Sequence, residues 1–366
     1  MPELAEATQS VIDFAQQPLT ALAALPVTED EFFQESRLRN LLELCNRASA
    51  SSRSDVARAL VPAIAVPDLF QGSRVAMLCG ILVEWGADPT IAVQAILDRL
   101  PEQVVQASKV APRIGGNDQQ LFEEAPEQLK AWKGLPFMLR AAVTMLSRDR
   151  GSRQAARQNR PLAEALESLQ CAPVEVDFFS RILGLADGVE LLVLCPAQAR
   201  GFRVLLEAVN TNFHLFTLLQ DALVGASSAG LLAGAKRYPR VVAVAKNELY
   251  VEEDLYDTAL WNYHDWTGLQ PDGTLGANDL GSWIWGEMSP LDIPLFDGCR
   301  VVLLGPPAPE CRSWNSGFFA SIHEALRCKV QLLEVLGPGA VDSWLARIRQ
   351  APRPAAGSSV VPRPDR

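Results

Sequence analysis

Apolar residues along this chain follow a helical repeat up to about residue 170 and an alternating one after it. That one change of period restricts the fold more than anything else in the sequence. In the first part apolar positions recur three and four apart, as on a helix that buries one face. In the second, short apolar runs and strict alternation take over, the repeat of strands. The switch falls at Cys171-Ala172-Pro173, where the proline cannot continue a helix. With 366 residues the chain is also too long for a single ordinary core. The expectation is an α+β protein. An all-α helical domain covers 1–172, an α+β domain with antiparallel strands covers 173–350, and 351–366 is a disordered tail.

Helix signals in the first domain are explicit. Thr28-Glu29-Asp30-Glu31 reads as a capping box ahead of Leu38, Leu41, Leu42 and Cys45 at helical spacing. The stretch Leu69–Trp85 is apolar on nearly every side, which predicts deep burial, and Gly86 stops it. Asp88-Pro89 starts a helix that should end at Leu100, before Pro101. Further helices are expected over Leu121–Trp132, Pro136–Leu146 and Leu162–Leu169. No fixed repeat period is present, so a bundle is favoured over an irregular α-solenoid. Arg148, Arg150, Arg153, Arg157 and Arg160 form the main cationic run and read as a solvated helix face.

In the second domain Val189–Cys195 and Phe202–Val209 predict a β-hairpin, and Phe213–Val224 a helix. Arg300–Leu304 and Cys328–Leu333 read as further strands, and Val341, Trp344, Leu345 and Ile348 as the stripe of a last helix. Between these elements lies Asn247–Cys299, which carries eleven carboxylates and not one Lys or Arg. The chain's formal charge of −10 is concentrated there, since residues 251–300 alone sum to −9. Four of the eight tryptophans lie in the same stretch, in Trp261–Trp266 and Gly281–Glu287, joined by the Gly/Asp-rich loop 267–280.

Acid and aromatic residues together in a long punctuated segment are the composition of a binding surface. The candidate binding residues are Trp261, Tyr263, Trp266, Asp272, Asp279, Trp283, Trp285 and Glu287. If the two aromatic runs pair as a hairpin, Trp261 opposite Trp285 sets Tyr263 opposite Trp283, giving two aromatic cross-strand pairs. On that register Trp285 is a core residue, and Asp265 and Glu287 stand too far apart for a glycosidase pair.

Several chemistries are excluded or weakened. The charge is of the wrong sign for a general nucleic-acid binder. No apolar run is long enough to span a bilayer, and Met1-Pro2-Glu3-Leu4 lacks the basic start of a signal peptide. Seven scattered cysteines without a CxxC pair point to reduced thiols in a cytoplasm. Arg outnumbers Lys 27 to 6, a bias of GC-rich bacterial coding. Ser228 sits in a loose Ala-Ser-Ser-Ala-Gly echo of a nucleophile elbow, but a helix precedes it where a strand is needed, so the stretch reads as a linker. Cys299, Cys311, His323 and Cys328 lack the paired spacing of a zinc site, and no cofactor is expected.

The one catalytic reading is His264, flanked by Asp265, acting as a general base in a hydrolase. The favoured reading is a non-catalytic interaction or regulatory protein that binds another protein or a polar ligand, basic in character, through 247–299. A structural part of a larger assembly is the third alternative.

Overall fold

The computed structural model describes residues 2–25, 29–169, 172–235, 237–275, 280–316 and 322–352. Thr28 of the expected capping box, Asp279 and the tail 353–366 lie outside the described residues. The chain forms two compact units, Met1–Leu183 and Gly184–Arg366. The first is helical and the second combines helices with a sheet, so the fold is α+β.

The first unit contains α1 (Pro2–Ala15), α2 (Glu29–Phe32), α3 (Ser36–Asn46), α4 (Ala50–Ile64), α5 (Leu69–Glu84) and α6 (Thr90–Ser108). They are followed by α7 (Asp118–Glu124), α8 (Pro126–Arg148), α9 (Arg150–Gln158), α10 (Arg160–Glu167) and α11 (Val174–Leu183). As its all-round apolar sequence demands, α5 is buried on nearly every side, and it packs along α8. Asp68 caps α5 by accepting from the amides of Phe70 and Gln71, each at 3.1 Å, and ion-pairs with buried Lys130 of α8 at 2.9 Å.

Three prolines lie inside helices, against the expectation at Pro101 and Pro136. Pro62, Pro101 and Pro136 lie inside α4, α6 and α8, so the helix expected to stop at Leu100 runs on, and the two expected around Trp132 and Pro136 are one. An internal proline costs about 3 kcal/mol. Long helices with this much buried surface can offset it. Pro173 likewise precedes α11 instead of closing the domain. Because α11 packs on α8 and Glu175 ion-pairs with Arg140 at 2.8 Å, those residues fall within the first unit. The arginine run is not a solvated face either. Arg153 is buried and donates to Leu146 O at 2.8 Å, and Arg157 donates to Leu183 O at 2.8 Å. Both guanidinium groups close backbone carbonyls at helix ends.

The second unit is built on β1 (Val189–Cys195), β2 (Arg200–Glu207), α12 (Asn212–Leu223), α13 (Pro239–Ala245), β3 (Leu255–Thr258) and β4 (Asn262–His264). Then come β5 (Leu295–Phe296), β6 (Cys299–Gly305), β7 (Cys311–Trp314), β8 (Lys329–Val335) and α14 (Pro338–Gln350). The expected hairpin is present, with Val193 opposite Phe202. The sheet runs β4-β6-β1-β2-β8, with β5 on β6, and β3 pairs separately with β7. All these pairings are antiparallel except β1 with β6, which are parallel.

That central parallel pair is covered on both faces. Leu191, Val193, Val302 and Leu304 enter the core beneath α12 and α13, while Leu192, Leu194, Val301 and Leu303 enter the core with Val341 and Ile348 of α14. A strand buried on both sides reads as a continuous apolar run, which explains the texture of both strands.

Candidate functional site

Tyr263 organises the site. Its position in β4, hydrogen-bonded to the sheet's β6, turns its ring into the core, where it stacks on Phe216 of α12 at 4.0 Å and 9°. Its hydroxyl donates to Phe216 O at 3.0 Å, and burial pushes the phenol well above its ordinary pKa. Trp261, two residues earlier and edge-on to Tyr263, is buried in the same core.

On the outer edge of β4 runs the segment 282–285. Asp265 N donates to Ser282 O at 2.8 Å and Ile284 N to Tyr263 O at 2.9 Å, so His264 lies opposite Trp283. This is one residue away from the register that pairs Trp261 with Trp285. A slip of one transfers every side chain to the other face. Ile284, not a tryptophan, therefore packs on the core that holds Tyr263, and Trp283 comes edge-on to His264 with ring centroids 6.4 Å apart. Trp285 is 43% exposed, not a core residue. The core there already holds the rings of Phe216, Tyr263 and Trp261.

Residues 283–288 form a ridge tied to the start of α12. Phe213 N donates to Gly286 O at 3.0 Å, Asn212 N to Met288 O at 2.9 Å, and Asn212 Nδ2 to Trp285 O at 2.9 Å. Gly286 is required here, because a Cβ would lie 2.5 Å from the Phe213 ring. The ridge separates two clefts, both of which Trp283, Ile284 and Trp285 line.

The first cleft, about 300 Å³, is walled by Phe213, Phe216, Tyr263, Trp283, Trp285 and Arg312. Arg312 lies on β7 with its guanidinium over Phe216 at 5.0 Å and Tyr263 at 5.3 Å, and donates to Trp261 O at 3.1 Å. It has no carboxylate partner among the described residues, and burial pulls its pKa below the ordinary value. Glu287 lines the same cleft and is exposed.

The second cleft, about 290 Å³, is lined by Asp265 and Asp292. Both carboxylates also hold local structure. Asp265 Oδ1 accepts from Thr267 N and Oγ1 at 2.7 and 2.6 Å, and Asp292 completes a capping box with Ser289. Asp265 and Glu287 thus belong to different clefts.

The other expected site residues are dispersed. Trp266 packs against Phe296 at 5.2 Å in the core under α14. Asp272 is exposed and caps a turn through Thr274, which holds its carboxyl below the usual range. His264 is fully buried, with Nδ1 2.9 Å from Ser282 Oγ. In this closed packing the imidazole has no solvent path to a substrate. Ser228 occupies an exposed 3₁₀ turn ended by Gly230 in the left-handed region. Among the described residues no three His, Cys, Asp or Glu come together to hold a metal, and no helix is long and apolar enough to cross a membrane.

Sequence reasoning passes over Arg312, Phe213 and Phe216. The two phenylalanines carry the spacing of an ordinary buried helix face, and Arg312 stands alone in a short strand with no local pattern. Compared with family models, curated proteins and solved structures, the chain matches none.

Proposed function

We propose that this chain is a non-catalytic interaction protein that holds a basic or polar partner on the acidic, aromatic surface of segment 247–299. One observation carries the reading: aromatic side chains that a core would absorb stand exposed among carboxylates. Tyr250 is 68% exposed and Tyr256 66%, beside Glu248 and Glu252, which form no ion pair among the described residues. Trp285 and Glu287 repeat the combination on the ridge. Exposed Tyr and Trp supply large contact area at low entropic cost, and the local excess of negative charge steers a cationic partner. Glu253, tied to Arg240, and Asp254, which accepts from Asn315 Nδ2 at 3.0 Å, hold the border of this surface in place. The free cysteines, with burial pushing Cys45 up to about 11 and Cys79 to about 12, suit the reducing cytoplasm of a bacterium.

The test is binding of Lys/Arg-rich peptides to the immobilised chain across a salt series. Exposed charges are screened beyond about 8 Å at physiological ionic strength. Affinity should fall steeply with salt, and Glu252→Lys/Glu253→Lys/Asp254→Lys should slow association more than it speeds dissociation. Binding indifferent to both salt and the triple substitution refutes the reading.

A further inference from the structure

We propose that the cleft around Arg312 is a binding site for a small aromatic carboxylate. This goes beyond the reading of the acidic surface and does not rest on it, because the group that recognises the ligand is a cation inside the cleft.

The argument begins with an imbalance of charge. A guanidinium has five N–H donors in a planar fork and stays protonated under all ordinary conditions. Arg312 is half-buried among the aromatic rings around it, with one donor on Trp261 O and no carboxylate paired with it among the described residues, since Asp257 opposite it is held by Arg237. The rings of Phe216 and Tyr263 offset part of the desolvation by attracting the cation to their faces. They do not satisfy the remaining donors, which lie in the plane of the fork. Buried cations in folded proteins are otherwise paired, as the second unit itself shows: Arg237, more deeply enclosed than half-buried Arg312, meets Asp257, the residue opposite Arg312 across β3 and β7, at 3.0 Å. Arg312 is the contrasting case, and its fork is matched in spacing and charge by one carboxylate bound through two parallel hydrogen bonds.

The walls decide what that carboxylate is attached to. A volume of about 300 Å³ is at the small end of ligand sites. Phe213, Ile284, Trp283, Trp285 and Pro309 present apolar and aromatic surface to it. An aryl ring next to the carboxylate uses that surface by offset or edge-on contact. A phosphate ester fits less well: no second cation lines the cleft, and Glu287 would repel a dianion more than a monoanion. The ring is held by the same ridge that the Phe213 and Asn212 amides fix in place, so the site is already formed before binding.

The probe is phenylacetate, with phenylacetamide as the neutral isostere and phenethylamine as the cationic one, titrated into the full chain by calorimetry and by tryptophan emission. Phenylacetate should bind and quench, and both isosteres should bind at least about tenfold more weakly, as expected for loss of a charge-assisted pair. Arg312→Gln should lose about tenfold or more for phenylacetate and little for phenylacetamide, and Arg312→Lys should restore only part, since an ammonium lacks the fork. Should Arg312→Gln not fold by circular dichroism, Ser313→Glu, which places a competing carboxylate at the exposed cleft wall, gives the same readout with Arg312 intact. The triple lysine variant of residues 252–254 should leave phenylacetate affinity unchanged, which separates this site from the acidic surface. The proposal is overturned if phenylacetamide or phenethylamine binds as well as phenylacetate. It is also overturned if folded Arg312→Gln retains full affinity, or if neither phenylacetate, benzoate nor indole-3-acetate binds at millimolar concentration.

Discussion

Truncating two tryptophans of the same segment should give two very different losses of stability. A tryptophan side chain buries up to about 250 Å², worth roughly 6 kcal/mol at about 25 cal/mol per Å². Trp261 is 6% exposed, so Trp261→Ala forfeits nearly all of this apart from the share an alanine keeps. It also leaves a cavity beside Tyr263, and the expected cost is about 4–5 kcal/mol. Trp285 is 43% exposed and opens onto two clefts, so its transfer contribution is little more than half as large. Its removal leaves no closed cavity, and Trp285→Ala should cost about 1–2 kcal/mol. The assay is urea unfolding followed by circular dichroism. The chain has two compact units, so only the transition of Gly184–Arg366 should shift. Equal losses for the two variants would refute the observed register and restore the one that pairs Trp261 with Trp285.

Three further outcomes are expected. Burial works against the Lys130 ammonium, but its bonds to Asp68 and Glu127 outweigh that and raise its pKa above the ordinary value. The stability this contributes is fully present below the unfolded lysine pKa of about 10.4 and is lost as pH rises through the folded pKa. The thermal midpoint of Lys130→Met should therefore decline less steeply than the parent's above about pH 10. Arg237→Met leaves Asp257 buried without its counter-ion and should cost about 3–5 kcal/mol in urea, with Arg237→Met/Asp257→Leu recovering most of it. Gly80→Ala sets a Cβ 3.0 Å from Ala141 Cα where α5 meets α8. It should cost about 1–3 kcal/mol in the transition of the helical unit alone.

What could be read from the sequence was what depends on local periodicity. The β1–β2 hairpin, the apolar runs of β1 and β6, the all-round burial of α5 and the stripe of α14 all follow from spacing along a few turns or strand residues. The helices that continue through Pro62, Pro101 and Pro136 were not legible, since tertiary burial, not propensity, sustains them. The register of the aromatic segment differs by one residue because maximising ring-to-ring pairs within the segment ignores Phe216, whose ring on α12 stacks on Tyr263. For the same reason Trp261 and Trp285 looked alike in sequence and differ in the fold. Arg312 could not be identified in advance. What sets it apart is that, among the described residues, no carboxylate pairs with it, Asp257 opposite it being taken by Arg237, a property of its surroundings, not of its neighbours in the chain.

The parallel pairing of β1 with β6 also sets an order of events during synthesis. Leu191 must find Arg300, and Val193 must find Val302, across more than a hundred intervening residues. The hairpin of β1 and β2 can form as soon as it leaves the ribosome, but the sheet centre closes only when β6 emerges. Until then the segment 247–299 has no β6 for β4 to join, and its aromatic rings are in water. Eleven like charges without a single cation make that waiting stretch self-repelling and resistant to collapse on itself or on a neighbouring chain. The acidity that marks the mature surface is thus also a safeguard for the nascent one, and replacing it wholesale with lysine would retain that protection, whereas neutralising it with glutamine and asparagine would remove it.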